Sequence, residues 1–101
     1  MNNLVFICSP LKGDVEANIN NAKQYARDAV LSGYIPVAPH VYFTSFLDDS
    51  KLDERQLGIN CGSELLKYCN EVWVYGSTIT DGMRQEINIA NNLSIPVKFK
   101  V

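Results

Sequence analysis

Two continuous apolar runs, Leu4-Val5-Phe6-Ile7-Cys8 and Val72-Trp73-Val74-Tyr75, constrain this chain more than any other feature. A strand with one face in water alternates apolar with polar residues. A strand with no polar position is buried on both faces, the habit of parallel sheets covered by helices. Parallel neighbours need long crossovers, usually helical, and the intervening sequence supplies them. From Val15 to Leu31, Ala17, Ile19, Ala22, Ala26, Ala29 and Val30 recur at helical spacing, with Asp14 as N-cap and Gly33 as the terminating glycine. Tyr34–Ala38 reads as a short second strand, and Pro36 inside it points to an edge. Pro39–Ser50 reads as a loop holding His40, Tyr42, Phe43 and Phe46. A helix is predicted over Asp53–Tyr68 with Leu57, Cys61, Leu65 and Leu66 as its apolar stripe. Another is predicted over Gly82–Leu93, and a last edge strand over Ile95–Val101.

The order β-α-β-α-β-α-β predicts one α/β domain over residues 1–101, a parallel sheet with helices on both faces and right-handed crossovers. The first strand is the most continuously apolar and should be central, which favours the strand order 2-1-3-4. The switch point then lies between strands one and three, where open α/β sheets bind ligands. Those strands end at Cys8 and Tyr75, so the loops Ser9–Asp14 and Gly76–Gly82 should flank one crevice.

Within WVYGSTITDGMRQE the strand stops at Gly76, a polar loop with Ser77, Thr78 and Thr80 follows, and a helix opens near Gly82. Glu86 lies four residues after Gly82, so both fall on one helix face. Glycine there removes a side chain where a substrate would approach the carboxylate. The helix dipole favours a negative charge near the N-terminus, so Glu86 is expected to stay ionised. Two readings follow: an accessible carboxylate fit to act as nucleophile or base, or a first-turn glutamate on a solvated face.

Composition closes off other classes. Apolar residues make up 47% and charged residues 20%, as in soluble globular proteins. A net charge of −2 and nine scattered basic residues give no surface for a nucleic acid polymer. No apolar run is long enough to span a membrane and no cleavable leader is seen, so the cytoplasm is the expected compartment. Cys8, Cys61 and Cys69 show neither disulfide framework nor zinc spacing. Cys61 and Cys69 are read on one helix about 12 Å apart, and Cys8 either as a reactive thiol or as a small buried hydrophobe. One histidine excludes a multi-histidine metal site, and no metal is expected. Neither G-x-G-x-x-G nor G-x-x-x-x-G-K-[ST] follows a strand, so no dinucleotide cofactor or P-loop is expected.

The segments FICSPLKGDVEANI, YIPVAPHVYFTSFLDD, ERQLGINCGSELLKYCNEVWVYG and TDGMRQEINIANNLSIPVKF together resemble the nucleoside 2-deoxyribosyltransferase-like family, in particular its short bacterial and phage branch. The resemblance implies a flavodoxin-like three-layer α/β fold and cleavage of the N-glycosidic bond of a nucleoside or nucleoside 5′-monophosphate, by deoxyribosyl transfer or hydrolysis. It implies no cofactor. The family's nucleophilic glutamate follows a glycine by four residues at the start of a helix, which Gly82 and Glu86 match. Its loop contacting sugar or 5′-phosphate resembles Ser9-Pro10-Leu11-Lys12-Gly13. The transferases carry an aspartate six residues before the nucleophile; Asp81 stands five before Glu86. Where a second acid is expected on the preceding helix, Gly62 stands and Glu64 is the nearest carboxylate.

An oxocarbenium-like transition state calls for a carboxylate beneath the anomeric carbon and an acid at the leaving base. Glu86 is assigned the first role, and Asp81 or Glu64 the second. Asp81 also reads as an N-cap, and Glu64 as a plain surface residue. Ser9, Pro10, Gly13, Gly76, Ser77 and Gly82 are read as substrate-binding, with His40 bonding a base or phosphate, or capping a strand end. Tyr42, Phe43 and Phe46 either pack the base or belong to the core. Arg55 and Lys12 either meet a phosphate or are solvated. Gly58 and Gly62 allow close approach of a helix or ligand, and a homodimer or larger homo-oligomer is expected. Two other classes fit the same residues: a nucleotide sensor without turnover, and an interaction module in which Glu86 is merely solvated.

Overall fold

The computed structural model describes residues 3–100, so Val101 of the last expected strand lies outside the described residues. Its elements run β1 (Leu4–Cys8), α1 (Val15–Leu31), β2 (Ile35–Val37), α2 (Pro39–Tyr42), a 3-10 turn (Phe43–Ser45), α3 (Leu52–Leu66), β3 (Glu71–Tyr75), α4 (Asp81–Asn92) and β4 (Val97–Lys100). The four strands form one parallel sheet in the order β2-β1-β3-β4. This is the α/β sheet expected from the two apolar runs, with β1 and β3 inside and the proline-flanked β2 and β4 at the edges.

Successive side chains of a strand point to opposite faces, and β1 divides the core accordingly. Val5 and Ile7 pack with Trp73, Ala29 and Tyr25 beneath α1. Phe6 and Cys8 pack with Val72, Val74, Leu66, Met83 and Ala90 on the side of α3 and α4. All four β1 side chains are at most 2% exposed. Burying a side chain of the size of Phe6 or Ile7 stabilises the fold by roughly 1.5–3 kcal/mol.

The helix ends follow from local chemistry. The Asp14 carboxylate accepts from the Ala17 N–H at 3.1 Å at the start of α1, and Gly33 closes it at φ 90°. For α4 the N-cap is Thr80, whose Oγ1 accepts from the Met83 N–H at 3.2 Å. Asp81 is therefore the first helical residue rather than the cap, and its carboxylate pairs with Arg84 at 3.4 Å.

Three expectations need correction. The segment after β2 is not a loop: Pro39 opens α2 at the position where a missing N–H costs nothing, and a 3-10 turn continues it. Helix α3 ends at Leu66, so Cys69 lies beyond it in the turn before β3. The stripe Leu57, Cys61 and Leu65 faces outward, and only Leu66 of the expected set reaches the core. Glycine causes the inversion. A Cβ on Gly62 would stand 3.3 Å from Pro39 Cβ, and one on Gly58 3.6 Å from Leu47 Cδ1. The bare side of α3 thus packs on α2 and the 3-10 turn of the same chain, leaving the larger side chains outside.

Candidate functional site

At the carboxyl ends of β1 and β3 lie two hollows rather than one crevice, and Ser9 lines both. The larger, about 560 Å³, opens on the face of α3 and α4 between the loop after β1, α2, α3 and the start of α4. That volume falls within the range of small-molecule sites. The smaller, about 400 Å³, opens toward α1 and is lined by Ser9, Pro10, Gly76 and Ser77 with Asn18, Asn21, Tyr25 and Thr78. Gly76 sits at φ 107° with Pro10 Cδ 3.3 Å from where its Cβ would be, so glycine lets the two loops touch.

Glu86 and Gly82 line the larger cleft together with His40, Lys12, Arg55 and Asp81. Gly82 faces open space: a Cβ there would meet nothing closer than Thr80 Oγ1 at 4.0 Å. Glu86 is half-buried, open to the cleft on one side and walled by protein on the others. Loss of water pushes its carboxyl up to about 7, and a hydrogen bond from Cys8 holds it from rising further. This corrects the expectation of a fully ionised Glu86. As the sixth residue of α4 it stands beyond the first turn, where the dipole acts, and desolvation prevails.

The Cys8 thiol is itself fully buried and driven upward, first by desolvation and then by the neighbouring Glu86 charge and hydrogen bond. It is a protonated donor, not a nucleophile. The imidazole of His40 bonds the Ser9 carbonyl at 3.0 Å. A carbonyl only accepts, so Nε2 carries the proton and Nδ1 remains an acceptor. Burial holds this ring below its ordinary pKa, against the pull of the Ser9 carbonyl, and keeps it neutral near pH 7. Ser9 is 1% exposed, and its hydroxyl has no partner among the described residues.

The remaining sequence-derived residues divide between these hollows and the surface. Pro10, Gly76 and Ser77 belong to the smaller hollow, away from Glu86. Gly13 turns the loop after β1 at φ 98° and lines neither. Glu64 is solvent-exposed, paired with Lys67 at 2.8 Å, and does not reach the cleft. Phe46 is 59% exposed and likewise outside it; Phe43 and Leu47, four residues apart, turn inward in its place. Tyr42 and Phe46 turn outward on the opposite side of the same turn.

Two acids that sequence reasoning passed over, Asp49 and Glu54, line the cleft, as do Ser63 and Gln85. Glu54 accepts from the Asp48 N–H at 3.0 Å, an anchor six residues away that no periodicity reveals. The pair Asp48-Asp49 in a loop was the one available signal. Among the described residues no three His, Cys, Asp or Glu side chains stand close enough to hold a metal ion. Nor is any helix among them long and apolar enough to cross a membrane.

A family described as "Domain of unknown function (DUF7768)" matches residues 3–100. No curated protein sequence matches the chain. Among solved structures, a 2-deoxyribosyltransferase from the psychrotolerant bacterium Bacillus psychrosaccharolyticus superimposes with a TM-score of 0.69 at 18% identity. The match covers 95% of this chain and 70% of that one. The likeness is one of fold.

Proposed function

The chain belongs to the DUF7768 family, and from its cleft we propose that it cleaves the N-glycosidic bond of a nucleoside or nucleoside 5′-monophosphate, with Glu86 as nucleophile. The observation that carries this reading is Glu86 itself: a half-buried carboxyl at about 7, one helical turn beyond a glycine that leaves the approach to it open. A solvated surface glutamate has neither property. The resemblance of its segments to nucleoside 2-deoxyribosyltransferases and the shared fold of one such enzyme support the same reading.

In the proposed reaction a Glu86 carboxylate oxygen attacks the anomeric carbon and forms a glycosyl ester. The C–N bond breaks, its electron pair leaves with the base, and an acid supplies the base's proton. Asp81, Asp49 and Glu54 line the cleft and are the acids able to do so, whereas Glu64 is too remote. Water, or a second base, then attacks the same carbon and frees Glu86. The Ser9 hydroxyl and His40 Nδ1 offer hydrogen bonds to sugar or base, Phe43 an aromatic wall, and Lys12 and Arg55 charge for a 5′-phosphate. We place this chemistry in a homodimer or larger assembly.

A second reading draws on the same raised carboxyl. A Glu86 protonated in half of the molecules near pH 7 is a hydrogen-bond donor suited to holding a nucleotide without turnover. One experiment separates the two: free base release and ligand affinity measured in parallel for wild type and Glu86→Gln across nucleosides and their 5′-monophosphates. Enzymatic cleavage requires turnover to fall by several orders of magnitude in the variant with a far smaller change in affinity. Equal release by both removes Glu86 as nucleophile. Binding with no release in either establishes the sensor.

A further inference from the structure

The segment between the 3-10 turn and α3 is tied down on both sides of Asp49. The Lys51 N–H donates to the Asp48 carbonyl at 3.1 Å and closes a four-residue turn. The Asp48 carboxylate accepts from the Ser50 N–H at 3.0 Å and from the Ser50 hydroxyl at 2.6 Å. The Asp48 N–H in turn donates to Glu54 Oε1 at 3.0 Å. Of the four turn residues, only Asp49 lines the larger cleft. It is half-buried, and among the described residues its carboxylate meets neither a hydrogen-bond donor nor a cation. The other acids of the cleft wall are engaged elsewhere. Glu54 holds the turn and lies 3.7 Å from Lys51, while Asp81 is 98% exposed and paired with Arg84.

A carboxylate only accepts, and its two oxygens match two N–H donors standing side by side. Partly out of water and without a partner, it favours a ligand that brings such donors. The wall next to Asp49 is apolar: Phe43 and Leu47 line the cleft and pack on the glycine side of α3. That wall suits the flat face of a base, and the carboxylate at its rim suits the base's edge. We propose that Asp49 is the specificity-determining residue for the base, and that the cleft takes guanine nucleosides or nucleotides. Guanine carries two adjacent donors on one edge, the ring N1–H and the 2-amino group. Hypoxanthine keeps the N1–H but lacks the amino group. Adenine and cytosine set their amino group beside a ring-nitrogen acceptor, and uracil and thymine flank their N–H with two carbonyls. The contact moves no proton and breaks no bond. It rests on the reading above only in that the cleft holds a nucleoside or nucleotide, and it serves turnover and sensing alike.

The test measures affinity alone, in the Glu86→Gln chain with and without Asp49→Asn. Calorimetric titration uses guanosine, inosine and adenosine 5′-monophosphates and their 2′-deoxy counterparts. With Asp49 present, the guanine ligand should bind at least about tenfold tighter than the hypoxanthine and adenine ligands. In Asp49→Asn that ratio should fall to about one, because the amide keeps one acceptor and turns a donor toward the 2-amino group. A merely structural role would weaken all the ligands alike and leave the ratio standing. The Asp49 carboxylate makes no bond within the chain, so the melting temperature of Asp49→Asn should stay where it is. The ratio in the parent chain is a test in its own right even if the variant fails to fold. A ratio near one in the parent, or one preserved in Asp49→Asn, overturns the proposal and leaves the nucleoside reading intact. No binding of any of these ligands overturns both.

Discussion

Glu86 sets a pH dependence for the whole chain. Its carboxyl sits near 7 in the fold and near 4.5 when unfolded, so the folded state binds more protons between those values. The contribution of the protonated form is complete below about 4.5 and is lost as pH rises through about 7. The loss is of the order of 3 kcal/mol. Glu86→Gln should therefore stabilise the protein by a similar amount at pH 8 and change little at pH 4.5, as urea unfolding at the two pH values would show. Base release should run the other way, rising with pH through about 7 as the carboxylate forms. Gly82→Val tests the approach to the same group. A side chain there meets open space, so unfolding should change little while affinity for a nucleoside falls at least about tenfold. Calorimetric titration alongside a melt would separate the two effects. The spacing of Gly82 and Glu86 is legible in the sequence because it is local to one helix. The ionisation of Glu86 is not, because it depends on the walls that α2, α3 and Cys8 build around it.

At the level of elements, β1 and β3 were legible because a run without polar residues admits few other placements. Asp14 and Gly33 likewise marked the ends of α1 correctly. Helix α3 was not legible from its stripe, because the side that packs is made of Gly58 and Gly62, which carry no apolar signal. Nor was α2, since Pro39 can break a strand or open a helix with equal ease. Gly62 fixes the spacing between these two helices, which form one wall of the cleft. Gly62→Ala brings a contact of 3.3 Å with Pro39 against a helix-propensity gain of about 1 kcal/mol, so its net effect should be small. Gly62→Leu has no room beside Pro39 and should destabilise by about 2 kcal/mol or more and weaken ligand binding with it. Denaturant midpoints for the two variants would check the ranking. The same inward turn explains the exchange of Phe46 for Phe43: only residues on the α3 side of the 3-10 turn meet the glycine face.

At the scale of the whole molecule, the inverted helix leaves something to cover. Leu57 is 54% exposed and Leu65 38%, with Cys61 between them on the outer side of α3, and Tyr68, 74% exposed, lies in the turn just beyond the helix. A stripe at i, i+4 and i+8 is the pattern of a helix that packs against another helix, and the inner side of α3 is already occupied by Pro39 and Leu47. The sequence places the contact of the expected homo-oligomer on the helix that carries Gly58 and Gly62 or on the aromatic segment Tyr42–Phe46. The glycine side is closed within the chain, which leaves the outer stripe as the stronger surface. Two copies meeting through antiparallel α3 helices would set Asp53, in the first turn, beside Lys67 of the partner copy, and would bring two Cys61 thiols near the axis. Light scattering should therefore give a dimeric mass at micromolar concentration. Leu57→Lys with Leu65→Lys should lower that association at least about tenfold by placing like charges across the axis, while the Glu86 titration, which lies on the other side of α3, stays where it is. Under mild oxidation a Cys61–Cys61 crosslink should form in wild type and be lost in Cys61→Ser. A monomeric mass for wild type at that concentration would rule this interface out, and would leave the cleft to be completed by the chain's own α2 and α3 alone.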